Sequence, residues 1–430
     1  MSAGMREKVG ILVGGGPAPG INSVIAAATI RSVIAGWDVI GILDGFQWIM
    51  DGDTEHVMPL DIERVSRLHF HGGSELGTSR ANPTRSEELL DIALASLEKM
   101  EIGQLITIGG DDTAISAMRL ADRSHGRLRV VHVPKTIDND LDLPAPVDTF
   151  GYQTARSVGV QIVENLMVDA RTTGRWYFLI AMGRNTGHLA LGIGKAAGAT
   201  VTLIPEEFGP DPTPLAEIAD TLVGSIITGL ARGRRDGVAI IAEGVVYGID
   251  PDDLTGLGNV ERDDHGHLRL AEVDIGALLK REVRSRLSDL GLQVTVVSKN
   301  IGYELRCADP NPFDLEYTRE LGYAAAKYLS QGGHAAMVSI QGGHFVPVPF
   351  AEMLDPDTGR ARVRYVDINA VRYRVARRYM LRLRQSDFDS PERVGKLAAA
   401  ANLTVEAFRD RFGRLPRREP PPLDFMAGEG

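Results

Sequence analysis

The sequence predicts an α/β protein of two lobes followed by a C-terminal helical extension. Short apolar runs alternate with helix-like stretches, glycine-bearing polar loops follow the runs, and the alternation restarts after Pro144 and Pro146. The first unit opens with an apolar run from Val9 to Val13, turns at Gly14 to Gly20, continues as a helix over Ile21 to Ile34 and returns to an apolar run from Trp37 to Leu43. Farther on, Leu105 to Ile108 leads into Gly109-Gly110-Asp111-Asp112-Thr113 and a helix. Leu128 to Val133 leads into Pro134-Lys135-Thr136-Ile137-Asp138-Asn139-Asp140. In open parallel sheets, loops of this kind at the carboxyl ends of strands bind ligands.

The second series runs as a helix from Gly151 to Met167, an apolar run from Trp176 to Met182, a loop from Gly183 to Gly187 and another helix. Thr200 to Ile204 then ends in Pro205-Glu206-Glu207, and Val238 to Ala242 ends in Glu243-Gly244-Val245. A ligand cleft is expected between the two lobes. Beyond Gln341-Gly342-Gly343 the composition changes. Arg360 to Arg384 is dense in arginine at helical spacing, and a solvated face is the default reading, with closure over an active site or packing on a neighbouring subunit as alternatives. The proline-rich stretch from Arg417 to Gly430 is expected to fray.

With 430 residues and 43% apolar content, the chain can bury two cores without staples. A net charge of −10 argues against a nucleic-acid binder, which needs a broad positive field. No apolar run is long enough to cross a bilayer. A single cysteine, Cys307, and the lack of a leader-like start point to a reducing cytoplasm. Small anionic substrates stay open to such a protein if positive charge is concentrated locally by arginine, lysine, helix N-termini or a metal ion.

The loop from Gly14 to Gly20 lies between a strand and a helix, so its amides can approach phosphate oxygens with no side chain in the way. It is neither a dinucleotide fingerprint nor a P-loop, since Pro19 stands where the third glycine belongs and no lysine follows. Gly72 to Ser79 has nearly P-loop spacing but carries Thr78 in place of the lysine; an ordinary tight turn is the alternative for both loops. Asp111 and Asp112 beside Gly110 would repel a phosphate unless a cation intervened, which implies Mg²⁺ with Asp111 as its ligand. The alternative is a cap on a helix starting near Ala114. In the segment from Pro134 to Asp140, extended alternation would put Thr136, Asp138 and Asp140 on one side, with one carboxylate as proton acceptor and its neighbour near the metal; an Asx-turn is the competing reading. The histidines, His132 and His188 among them, are read as structural.

From about Lys8 to Gly343 the chain resembles the phosphofructokinase family. The resemblance runs through Gly-Gly-x-Ala-Pro-Gly-x-Asn (Gly15 to Asn22), Gly-Thr-Ser-Arg (Gly77 to Arg80), Gly-Gly-Asp-x-Thr, Thr-Ile-Asp-Asn-Asp and Met-Gly-Arg (Met182 to Arg184), in that order. It implies two Rossmann-like three-layer α/β lobes with the active site between them. Residues 1–149 with about 307–350 would form the donor lobe, 150–306 the sugar-phosphate lobe and 351–430 the extension. Residue by residue, it implies that Asp138 is the general base on the 1-hydroxyl of fructose 6-phosphate and that Thr136 contacts the sugar and the transferring phosphoryl group. Asp111 would be the magnesium-associated acid, and Gly15 and Gly110 would lie at the donor phosphates. Met182, Gly183 and Arg184 would bind sugar, with Arg184 also stabilising charge in flight, and Glu243 would bond sugar hydroxyls. Arg175 would reach a sugar 6-phosphate across a subunit interface, implying a homodimer or homotetramer. The segment with Lys299, Ile301, Tyr303 and Arg306 looks more like the Lys, Ile, Tyr, Arg order of longer and pyrophosphate-using members, which implies that Lys299 and Arg306 pair with that phosphate; a solvated surface lysine is the alternative for Lys299.

The resemblance also bears on the donor. ATP users in the family generally have glycine where Asp112 stands, and many have glycine at the position of Lys135. Two like charges about 4 Å apart repel by on the order of 1 kcal/mol in water and several times that in a partly dry site, so Asp112 disfavours a nucleotide α-phosphate. Lys135 supplies positive charge to a smaller donor and its leaving group. The expected activity is pyrophosphate-dependent phosphorylation of fructose 6-phosphate, with ATP-dependent phosphofructokinase, action on sedoheptulose 7-phosphate and a non-catalytic sugar-phosphate sensor as alternatives.

Overall fold

The computed structural model describes residues 7–144, 147–209, 211–255, 273–355 and 362–423. The strands, in chain order, are β1 (Lys8–Val13), β2 (Asp38–Ile42), β3 (Val57–Leu60), β4 (Ile102–Gly109), β5 (Arg129–Pro134), β6 (Trp176–Ala181), β7 (Val201–Leu203), β8 (Gly237–Ala242), β9 (Val296–Ile301), β10 (Ala336–Gln341) and β11 (His344–Pro349). The chain divides into two compact units, Met1–Ala155 with Tyr303–Arg364 and Arg156–Gly302 with Tyr365–Gly430. Residues 351–364 therefore belong to the first unit, and the chain from 365 onward belongs to the second, not to a separate extension.

The first unit holds a seven-stranded sheet in the order β11-β10-β5-β4-β1-β2-β3. Its five central strands are parallel; the edges β3 and β11 run antiparallel to their neighbours. Period-2 alternation sends Val9, Ile11 and Val13 to one face and Leu12 to the other. On the first face the helices Ile21–Ile34 and Pro312–Ser330 bury Ile21, Val24, Ile25 and Leu321. The two helices approach so closely that a Cβ on Gly322 would stand 2.5 Å from the Val24 carbonyl oxygen. On the second face Glu87–Lys99 and Asp111–Arg123 bury Leu90, Leu94, Leu97, Ala117 and Leu120. The sheet is thus covered on both sides, which is why its central strands are almost wholly apolar.

From β1 the chain crosses to β2 on one side, and from β4 it crosses to β5 on the other. The carboxyl ends of β1 and β4 therefore flank a topological switch point, the crevice where open α/β sheets bind ligands. Sequence reading missed the edges. The β3 strand carries Pro59, tolerable only where no further ladder forms. The β10–β11 hairpin turns on Gly342 and Gly343, both with positive φ (57° and 80°), the requirement of a two-residue type I′ loop.

The second unit contains a parallel sheet in the order β7-β8-β6-β9, with β6 and β8 buried along their full length. Contrary to the expectation of a solvated face, Arg374, Arg377 and Arg382 are buried at 8%, 5% and 7% exposure. Arg382 grips Glu207 with both terminal nitrogens, at 2.6 and 3.0 Å. The nearby Leu381 amide donates to the Thr200 carbonyl at 2.8 Å. Arg286, Arg411 and Arg414 converge in the same way on the buried Asp220. Arg360 itself lies outside the described residues. The tail is anchored as far as it is described: Arg418 bonds Glu217 and the Phe208 carbonyl, and Arg374 donates to the carbonyls of Pro421 and Pro422. Frayed ends could not supply these partners, so that expectation fails for Arg417 to Leu423, and residues 424–430 lie outside the described residues. Among the described residues no helix is long and apolar enough to cross a membrane.

Candidate functional site

At the crevice of the first unit the Gly14 amide donates to Ile108 and the Gly15 amide to Ser79, so the turn after β1 is stitched to β4 and to the Gly77–Arg80 loop. Gly15 has φ +79, a conformation that favours glycine. Thr113 explains two further glycines: a Cβ on Gly14 or Gly109 would lie 2.4 or 2.3 Å from its hydroxyl oxygen. The helices Ile21–Ile34 and Asp111–Arg123 both begin here, at Gly20 and Gly110, and at neither start does an N-cap side chain accept from the first helical amides. Two such helix starts beside a glycine turn suit an anion.

Asp111 and Asp112 occupy the first turn of their helix, with Asp111 half-buried and Asp112 exposed. The helix starts at Asp111 and not near Ala114, so neither acid caps it; both sit where the helix dipole favours a carboxylate, by about 0.3–1 kcal/mol each. Lys135 follows β5 and is 4% exposed. Its amide donates to Gly109 at 2.7 Å, and its ammonium donates to the Gly16 carbonyl, within 3.3 Å of where a Gly15 Cβ would stand. The Arg306 guanidinium flanks the same turn from the short helix Tyr303–Arg306, 3.4 Å from a would-be Gly16 Cβ, with the exposed Tyr303 ring 5.2 Å from it. Two cations therefore frame the glycine loop.

The segment after Lys135 is a turn and not an extended strand. The Asp138 amide donates to the Thr136 hydroxyl at 3.0 Å, and Asn139 has φ +59, which breaks the alternation expected of Thr136, Asp138 and Asp140. Asp138, Asn139 and Asp140 are all buried. Arg364 fastens the turn, donating to the Asn139 carbonyl at 3.1 Å and to the Val147 carbonyl at 2.6 Å, while its own amide donates to Asp140 at 2.8 Å. Nothing local announces this arginine, which lies 225 residues from Asn139. Asn22, at the end of the Gly15–Asn22 motif, donates to the His71 and Gly72 carbonyls and accepts from the Glu75 amide, tying the helix after the glycine turn to the Gly72–Ser79 loop.

His132 is fully buried between β4 and β5, with one ring nitrogen 2.9 Å from the Thr107 hydroxyl and the other 3.0 Å from the Gly109 carbonyl oxygen. Burial holds its pKa down at about 3, against the Gly109 hydrogen bond that raises it and alongside the Lys135 charge that lowers it further. Between about pH 6.5 and 3 the unfolded chain binds a proton here that the folded one does not, so this site costs stability as pH falls, by on the order of 1 kcal/mol per pH unit. Urea midpoints at pH 5 and pH 7 should therefore lie farther apart in the wild type than in His132→Asn; equal gaps would refute this.

In the second unit, Met182, Gly183 and Arg184 follow β6. One oxygen of Glu243 accepts from the amides of Gly183 (3.1 Å) and Arg184 (2.7 Å), shaping the loop. Arg184 is exposed with φ +49, and its carbonyl presses on Gly244, where a Cβ would be 2.4 Å away. Arg175 precedes β6 at the opposite end of the strand, about 20 Å from that loop at the usual rise per residue. Lys299 is exposed on the edge strand β9. Lys299 and Arg306 thus belong to different units, as do Arg184 and Asp138.

Residues 8–329 match the family described as phosphofructokinase. The chain is 51% identical over 414 residues to a pyrophosphate–fructose 6-phosphate 1-phosphotransferase of Thermotoga maritima, covering 95% of this chain and 98% of that one. It is 48% identical to a protein of the same name from Naegleria fowleri, covering 95% of each. Among solved structures, a pyrophosphate-dependent phosphofructokinase of Nitrosospira multiformis superposes with a TM-score of 0.65 over 93% of both chains at 15% identity, a likeness of fold.

Proposed function

The chain belongs to the phosphofructokinase family, and from that premise we propose that it transfers a phosphoryl group from inorganic pyrophosphate to the 1-hydroxyl of fructose 6-phosphate, giving fructose 1,6-bisphosphate. The observation that carries the donor assignment is Lys135, whose ammonium is held on the Gly15–Gly16 backbone next to the helix start that bears Asp111 and Asp112. A bare diphosphate suits a small cationic cradle. A nucleotide would have to run its α-phosphate past the Asp112 carboxylate.

In the reaction, the Asp138 carboxylate takes the proton of the 1-hydroxyl as that oxygen attacks the terminal phosphorus. The bond to the bridging oxygen breaks, and orthophosphate leaves. The Thr136 hydroxyl, bonded to the Asp138 amide, keeps the base in position. Lys135 and Arg184 neutralise charge on the phosphoryl group and its leaving partner. Asp111 would hold Mg²⁺, whose charge eases the approach of anionic reactants; one half-buried carboxylate beside Gly110 fits an ion that draws its remaining ligands from phosphate and water. Met182, Gly183, Arg184 and Glu243 receive the sugar, and Lys299, Tyr303 and Arg306 its 6-phosphate. Arg175 acts from a neighbouring copy, because its strand carries it away from the sugar loop of its own chain, which supports a homodimer or homotetramer. Incubation with Mg²⁺, fructose 6-phosphate and each donor in turn is the test. Product is expected with pyrophosphate, and product with ATP alone would overturn the assignment.

A further inference from the structure

The second unit contains a charged cavity made of residues that the reaction does not use. Its volume is about 20 Å³, and Glu207, Glu217, Arg377, Arg382 and Arg418 supply its charge beside the Phe208 ring. Three guanidiniums and two carboxylates leave one positive charge in excess. Both carboxylates are engaged: Glu207 by the two-pronged grip of Arg382, and Glu217 by the Arg418 Nε at 2.6 Å. The other Arg418 donors reach the Phe208 carbonyl and Thr213.

Arg377 is the charge left over. It is 5% exposed, its buried Nε has no hydrogen-bond partner among the described residues, and the charges of Glu207 and Glu419 offset its own only in part and without a contact ion pair among the described residues. The buried Nε of Arg382, on the same cavity, likewise has no hydrogen-bond partner among the described residues. Burial first, and Arg382 second, lower the Arg377 pKa to about 10, so it still carries its charge at neutral pH. A buried cation whose guanidinium lacks a hydrogen-bonded acceptor is unfavourable, and a counter-ion relieves the cost. The space admits a particle the size of one water molecule and excludes phosphate or sulfate.

We propose that this cavity is a chloride site, with the Arg377 guanidinium as its principal donor. The anion ties the C-terminal segment to the helix and turn that carry Glu217 and Glu207 and so stabilises the second unit.

Thermal unfolding of the full chain in sodium chloride and in sodium methanesulfonate at equal ionic strength tests this. At chloride tenfold above its dissociation constant the midpoint of the transition that unfolds the second unit should rise by about 3–6 °C, saturably. Arg377→Met keeps the apolar stem and should abolish the difference while leaving pyrophosphate-dependent turnover at 25 °C unchanged. Equal midpoints in the two salts, or a chloride increment that survives in Arg377→Met, would overturn the proposal. Should the variant not fold, crystals grown in sodium bromide decide the matter: an anomalous peak within contact of Arg377 supports the site, and a water there refutes it.

Discussion

Asp138→Asn is expected to lower kcat by about 10²–10⁴-fold, the range associated with losing a general base, while the dissociation constant for fructose 6-phosphate moves by less than a few-fold. The carboxamide keeps the shape of the carboxylate in a position that is 7% exposed, and the backbone amide still reaches Thr136, so the turn survives. Only the capacity to take the proton of the 1-hydroxyl is lost. Steady-state rates with calorimetric binding of the sugar phosphate separate the two effects. A variant retaining a tenth of wild-type turnover would remove Asp138 from the role of base.

The donor assignment makes an equally large prediction. Asp112→Gly should raise kcat/KM for ATP by about five- to thirtyfold, because roughly 1–2 kcal/mol of like-charge repulsion disappears. Adding Lys135→Gly should lower kcat/KM for pyrophosphate by about 10²-fold or more, since that ammonium faces the transferring group in the proposed mechanism. Asp112 is exposed, and losing its favourable place in the first turn of the helix costs about 0.3–1 kcal/mol, so the single variant should fold. Lys135 is buried, so the double variant calls for a thermal unfolding control. If ATP use does not change in either variant, Asp112 is not what excludes the nucleotide.

Much of this was legible from the sequence because the relevant signals are local. Strand, glycine turn and helix follow one another within about thirty residues at Val9 to Ile34, and the polar loops after β4 and β5 stand out against their apolar flanks. The loop residues could be named before their geometry was known, since a phosphate cradle, a metal-bearing acid and a proton acceptor each restrict the residue type. Local reading went wrong where a hydrogen bond from elsewhere reset the backbone. The Thr136 hydroxyl and Arg364 turn the Asp138 segment out of the extended form, and Gly110 moves the helix start ahead of both aspartates.

The arginine-rich C-terminal stretch marks the limit. Composition makes a run of arginines a solvated face by default, because burying an unpaired guanidinium is costly. Arg374 and Arg382 are buried here because Glu207 and the carbonyls of Thr202, Pro421 and Pro422, up to 180 residues distant, supply the missing acceptors. Sequence alone determined which polar and charged residues stand on the loops after the strands, since periodicity and turn chemistry act over a few residues. Only the tertiary structure decided that Arg364 holds the turn bearing Asp138, that Arg306 stands over Gly16 and that Arg374, Arg377 and Arg382 are interior, because those outcomes depend on partners brought together by chain closure over hundreds of residues.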